Sequence, residues 1–362
     1  MAVYEKRLQQ DLNRIRQAVT SMGEGVETAL RNAVQAMLSG NEALANMTIL
    51  MDYPLDRQCQ ELDWICHSFI ARHLPSAGHL RLISATMRMI YDLERIADYA
   101  VNICRESLDL PNPPSGVLRQ ELETMASASR TMLRQSLIAF AEENAGLAKS
   151  TMEMNVQLSH GLDQAILDLV KEGDMYPGHS RDVMDLYVIF TMLERVGNRA
   201  TNLCEEIIFW LTGEKPAHKP LHILFLDEEN SAQSLMAEAM ASKGYGQSCR
   251  FHSAGRHPAR VPHPGVVAYM QTLGVDLAAL QPRGVGSVDI DAMDVIVSLQ
   301  GSVRSHIPKP PFHTAFLHWD VGDLPGDDAD PESVSRRFEE IRRALAAQLQ
   351  QLMEILIGPE GK

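Results

Sequence analysis

The chain has 362 residues, 45% of them apolar, with 33 basic against 47 acidic side chains and a formal net charge of −14. That length predicts two or three domains with packed cores rather than a disordered chain. The acidic balance argues against binding a nucleic-acid backbone over the whole surface. No apolar run approaches the roughly 20 residues that cross a bilayer, and residues 1–12 are too charged and polar for a secretory leader. The expectation is a cytoplasmic protein with no membrane span. Five cysteines (Cys59, Cys66, Cys104, Cys204, Cys249) form no Cys-x-x-Cys pair, which suits a reducing compartment and reads as buried soft hydrophobes.

In chain order, apolar residues at three- and four-residue spacing (Leu80, Ile83, Met87, Ile90, Leu93, Ile96) predict long helices up to about Thr212. The helices are placed near 4–37, 41–72, 76–108, 117–143, 146–172 and 180–211, with breaks at Pro75, 111–114 and 173–178. Pro54 predicts a kink or a restart in the second of them. Lys215-Pro-Ala-His-Lys-Pro220 reads as a linker. Beyond it, strand candidates at 221–226, 295–299 and 314–317 alternate with helices at 231–242 and 332–356, the grammar of a parallel, doubly wound sheet. The domains are therefore set at 1–214, with repeats near 5–108 and 117–212, and at 221–358.

Those repeats rest on self-similarity. Leu93-Glu-Arg-Ile-Ala-Asp-Tyr-Ala-Val-Asn-Ile-Cys-Arg-Glu106 matches the segment starting at Leu193 with an offset of 100, and seven of fourteen positions are identical. Each copy carries a polar pair four residues apart on one helix face: Glu94 with Asp98, and Glu194 with Asn198. Upstream, Asp52 pairs with Asp56, and the second copy offers Ser159 with Asp163. If neighbouring helices bring Asp52, Asp56, Glu94 and Asp98 together, four carboxylates face one another, an arrangement that favours a bound cation. The alternatives are solvated charges paired with Arg95 or Arg195, and an Asp52 that simply caps a helix ahead of Pro54. Asn102 and Asn202 read as polar anchors across the bundle.

These motifs, with the ending Trp210-Leu-Thr-Gly-Glu214, resemble the PhoU family of phosphate uptake regulators over about residues 5–215. The resemblance implies two three-helix bundles in a cytoplasmic, often oligomeric protein, with a homodimer expected here. It also implies contacts with the ATPase subunit of the phosphate transporter and with a phosphate sensor kinase, dampening the starvation response. It further implies iron or zinc held by paired acids, here Asp52, Asp56, Glu94 and Asp98, then Asp163 and Glu194. Ser159 and Asn198 depart from that pattern.

The second half resembles the low-molecular-weight tyrosine phosphatase and arsenate reductase family from about 221 to 356. The likeness lies in Asn230-Ser231, Ser234, Met236-Ala-Glu-Ala239, Ser253-Ala-Gly255, His263-Pro264 and Leu273-Gly-Val-Asp276. A strand–loop–helix entry of this kind is an anion site, to which Asn230, Ser231 and Ser234 would contribute. The family's chemistry needs Cys-x5-Arg, a low-pKa thiolate with a guanidinium clamp. Here Asp227 stands at the cysteine position, Gln233 at the arginine position and Glu229 where many members have glycine. Leu299 and Ile307 stand where the reductases keep redox cysteines, and Asp323 lies near the general acid's place. The resemblance thus implies a domain without turnover. The rival readings are phosphoryl or arsenyl transfer through Asp227, which would need a cationic clamp, and a metal-binding scaffold.

Overall fold

A computed structural model of the chain describes residues 2–175, 180–214, 220–275, 277, 280–311, 314–324 and 331–358. The linker expected at 215–220 lies outside them except for Pro220, as does Asp276 of the Leu-Gly-Val-Asp motif. The chain forms two compact units, one on each side of residues 215–219.

The first unit is all helix: α1 (Ala2–Ser39), α2 (Glu42–Leu50), α3 (Asp52–His73), α4 (Ala77–Asp109), α5 (Gly116–Ala141), α6 (Ala145–Glu153), α7 (Asn155–Met175) and α8 (Ser180–Thr212). Two of the six expected helices are broken, at Met51 and Met154. Pro54 explains only the first: it sits in the opening turn of α3, where a missing N–H costs little. The second break has no proline. Asn41 and Asn144 cap the short helices α2 and α6, each side chain accepting an N–H at 3.0 Å from Leu44 and Leu147. Near their ends, buried Thr48 and Thr151 donate back to the carbonyls of Leu44 and Leu147 at 2.8 Å.

Long apolar stripes put α4 and α8 at the centre, burying Ile83, Ile90, Leu93 and Ile96 from one and Ile189, Leu193, Val196 and Leu203 from the other. One continuous core joins the two three-helix units. No helix among the described residues is long and apolar enough to cross a membrane.

The second unit holds β1 (Leu221–Asp227), α9 (Gln233–Tyr245), β2 (Cys249–Gly255), α10 (Pro264–Thr272), β3 (Val295–Ser298), α11 (Val303–His306), β4 (Ala315–His318) and α12 (Pro331–Ile357). The four strands are parallel in the order β2-β1-β3-β4. Alternate residues of β1 feed opposite faces: Ile223 and Phe225 pack with residues of α9, α10 and α12, while Leu224 and Leu226 pack with Ile296, Val303 and Ile307. The carboxyl end of β1 opens at the switch point of such a sheet, where ligands of open α/β folds bind.

All five cysteines are free and buried. Burial pushes the thiols of Cys59, Cys66, Cys104 and Cys204 up to about 12, so they stay protonated and unreactive at neutral pH.

Candidate functional sites: the acidic helix face and the loop after β1

In the first repeat Asp56, Asp98 and Glu94 lie near enough to Asp52 for their charges to act on it. Asp52 opens α3, and burial followed by the charges of Asp56 and Asp98 raises its pKa above the ordinary 3.8, with Glu94 adding a smaller push and Arg105 opposing. Asp52 makes no capping bond: α3 has no side-chain cap, and Asp52 Oδ1 is buried without a hydrogen-bond partner. Two of the other acids are already engaged. The Cys59 thiol lies 3.8 Å from Glu94 Oε2 as its donor, and Arg95 Nη1 is 3.4 Å from Asp98 Oδ2. Among the described residues no group of three or more His, Cys, Asp or Glu side chains is placed to hold a metal ion. As placed, these residues do not fit the iron or zinc that the resemblance implies.

The second repeat solves the same problem with amides. Asn155 Nδ2 donates to Asn198 Oδ1 at 2.8 Å, and Asn198 Nδ2 donates to Glu194 Oε1 at 2.7 Å. Gly197 permits this approach, because a Cβ there would lie 2.9 Å from Asn155 Oδ1 and 3.4 Å from Leu158.

The counterpart of Asp52 is therefore Asn155, and that of Asp56 is Ser159; both stand 103 residues on, like the paired caps Asn41 and Asn144. Pairing Asp52 with Ser159 and Asp56 with Asp163 is one helical turn out of register. Asp163 corresponds to Gln60 rather than to Asp56, so among the counterparts of Asp52, Asp56, Glu94 and Asp98 the second repeat keeps a single acid, Glu194. A signal for the true register lies in the sequence: Asn-x-x-Leu-Ala-x-x-Thr-x-x-Met-x-x-x-Leu occurs at both 41–55 and 144–158.

Between α4 and α8, Asp92 Oδ1 accepts from Arg199 at 3.1 Å and from Asn202 Nδ2 at 3.3 Å. Asn202 is thus an anchor across the bundle. Asn102 instead lines an open cleft of ≈ 530 Å³ whose wall also carries Asp52, Asp98 and four arginines. No sequence motif marks that cleft, because it forms only when α4 and α8 pack.

In the α/β unit, Asp227 ends β1 and is 4% exposed. Its carboxylate accepts the Asn230 N–H at 2.5 Å on Oδ1, and the Ser234 N–H at 2.9 Å and hydroxyl at 2.7 Å on Oδ2. Burial pushes its pKa up, while the Ser234 and Asn230 donors hold it back. Asn230 takes the left-handed region (φ +50°), donates to Ser234 Oγ at 2.8 Å and accepts the Arg283 N–H at 2.7 Å. Gly255 lets the loop close on β2, since a Cβ there would lie 2.5 Å from the Asn230 nitrogen.

Asn230 and Ser234 are therefore bound to the chain itself, and Ser231 turns its hydroxyl to Glu229 Oε2 at 3.3 Å. Buried Gln233 donates from Nε2 to the Gly322 carbonyl at 2.5 Å. Asp323 is exposed, and its carbonyl accepts from Arg337 at 2.8 Å, the bond of an ordinary loop residue. No motif marks Arg283, whose guanidinium lies 3.1 Å from buried Glu238, itself bound by Ser253.

The PhoU domain family matches residues 19–107 and 122–207, and the low molecular weight phosphotyrosine protein phosphatase family matches residues 222–358. A phosphate-specific transport system accessory protein PhoU homolog of Pseudomonas putida is 28% identical over 241 residues, 66% of this chain and 92% of that protein. The Escherichia coli K12 accessory protein PhoU is 28% identical over 212 residues, 58% of this chain and 86% of the relative. The crystal structure of PhoU from Pseudomonas aeruginosa superposes with a TM-score of 0.55 at 28% identity, covering 57% of this chain and 99% of that one. The chain thus carries a PhoU domain in its N-terminal half, joined to a C-terminal domain of the low molecular weight phosphotyrosine protein phosphatase family.

Proposed function

We propose that this protein is an accessory regulator of phosphate transport that acts by binding, restraining phosphate uptake and starvation signalling, while its C-terminal domain serves without turnover. The likeness of the helical half to transport-system accessory proteins supports the first part. It makes the ATPase subunit of a phosphate transporter and a phosphate sensor kinase the partners to test.

One observation carries the second part: the carboxylate of Asp227 takes up the Asn230 and Ser234 amides and the Ser234 hydroxyl that would otherwise receive an oxyanion. An internal anion in that cradle opposes an external one, since two charges about 4 Å apart repel by roughly 1–4 kcal/mol at effective dielectrics of 80 to 20. Phosphoryl transfer also needs a cationic group at the transferring oxygens. Gln233, at the clamp position, is neutral and engaged with Gly322, and Arg283 directs its guanidinium to Glu238. Asp227 as a nucleophile would have to leave three hydrogen bonds, with neither Gln233 nor Arg283 free to clamp its substrate.

Assays of the intact chain with an aryl phosphate, and with arsenate plus a thiol reductant, are expected to show no turnover above buffer. A rate that disappears in Asp227→Ala would overturn the silent-domain reading. The regulatory reading is tested in cells lacking this chain, where a starvation-responsive promoter is expected to stay on in excess phosphate. The wild-type chain and Asp227→Ala are both expected to silence it.

A further inference from the structure

We propose that the cleft between α4 and α8 is a binding site for a short chain of linked phosphoryl groups, gripped by Arg95, Arg105, Arg195 and Arg199. The proposal goes beyond the regulatory reading, because that reading rests on protein partners and requires no small ligand.

Three observations carry it. First, the lining of this ≈ 530 Å³ cleft holds four arginines against two acids, Asp52 and Asp98, in a chain whose net charge is −14. Arg95 and Arg195 are the same position of the repeated Leu-Glu-Arg motif, so the packing of α4 on α8 brings equivalent cations from both repeats to one place. Second, the guanidinia are unequally engaged. Arg95 has Asp98 at 3.4 Å and Arg199 has Asp92 at 3.1 Å, whereas Arg105 and Arg195 have no hydrogen-bond or ion-pair partner among the described residues. Gathering cations around one concavity is unfavourable until an anion enters, and planar guanidinia grip phosphoryl oxygens in pairs.

Third, the lining selects the ligand class. Eight of its ten residues are polar or charged, and Tyr99, the one aromatic among them, is 8% exposed, so there is no open ring face on which a base could stack. The volume is that of a multi-group ligand rather than a lone small ion. Asp52 and Asp98, with Asp56 and Glu94 close to Asp52, oppose anion entry, and Arg95, 3.4 Å from Asp98, is less available to a ligand than Arg105 and Arg195.

Titration calorimetry on the full chain near physiological ionic strength, with tripolyphosphate as the probe, tests the proposal. Binding is expected to weaken roughly tenfold in each of Arg105→Gln and Arg195→Gln and to strengthen several-fold in Asp98→Asn, which frees Arg95 and removes a repelling charge. Thermal melts of the two exposed arginine variants, expected to match wild type, separate a lost site from a lost fold. ATP should bind no tighter than tripolyphosphate, and inorganic phosphate at least tenfold more weakly. Failure of tripolyphosphate to bind at millimolar concentration would overturn the proposal. So would equal affinity in the Arg105→Gln, Arg195→Gln double variant, or tighter binding of a glutamate-rich peptide, which would make the cleft a protein-docking site. Each of these outcomes leaves the promoter test of the regulatory reading untouched.

Discussion

The two repeats place different chemistry at one structural position. Around the start of α3 stand Asp52, Asp56, Glu94 and Asp98; around the start of α7 stand Asn155, Ser159, Glu194 and Asn198. Amides both donate and accept, so the second set closes into a chain from Asn155 through Asn198 to Glu194. Ionised carboxylates only accept, so the first set cannot pair with itself. One feature survives the exchange: the Oδ1 atoms of Asp52 and Asn155 are both buried without a partner. In the first repeat that atom belongs to an ionisable group, and in the second to a neutral one. The comparison separates what the packing imposes, an orphaned oxygen at this helix start, from what the side-chain type adds, a charge that raises a pKa. Asp227 is a third case, a buried carboxylate whose loop supplies three donors.

The strongest way to break the comparison is to put the acid into the second repeat. Asn198→Asp removes the donor to Glu194 and sets two carboxylates side by side. The expected cost is about 2 kcal/mol, the range for a half-buried acceptor left without its donor. It would be read as a lower urea midpoint in far-UV circular dichroism, to which the helical half contributes most. An unchanged midpoint would mean that the amide chain is incidental.

The reverse exchange, Asp98→Asn, should stabilise by about 1 kcal/mol at neutral pH, through one new donor and one fewer like charge. Its pH dependence is the sharper measure. Asp52 has a folded-state pKa above its ordinary value, so the folded chain takes up that proton more readily than the unfolded chain. The associated stability is fully present below the ordinary value and is lost as pH rises through the raised one. Since Asp98 is one of the charges that raise it, Asp98→Asn should flatten this loss. A parallel pair of stability–pH curves would show that Asp98 does not act on Asp52.

Periodicity and the repeated Leu-Glu-Arg segment made the all-helical half, its duplication and the acids at 52, 56, 94 and 98 legible in the sequence. The alternation of apolar runs with helices did the same for the parallel sheet, and the residue order around Asn230 and Ser234 located the loop. What stayed hidden depends on three-dimensional pairing. The helix breaks at Met51 and Met154 fall inside stretches whose hydrophobic spacing stays helical, so periodicity does not mark them. That Asp227 turns its carboxylate into its own loop is a matter of rotamer and backbone conformation. The arginine cleft exists only once α4 lies against α8.

The register of the second repeat is the subtlest of these, and the smallest expected effect tests it. Sliding the alignment by four residues keeps every residue on nearly the same helical face, because four residues are close to one turn. Hydrophobic pattern alone therefore barely distinguishes Asp163 from Ser159 as the partner of Asp56. The bonds do distinguish them, since Asn155 reaches Asn198 only in the 103-residue register. Asp163→Asn should accordingly leave stability within roughly 0.5 kcal/mol of wild type, as for a substitution away from any buried network. It should also add nothing to Asn198→Asp when the two are combined, because distant sites are additive. A coupling above about 1 kcal/mol between positions 163 and 198 would place Asp163 on the shared face after all, and would return the second repeat to two acids.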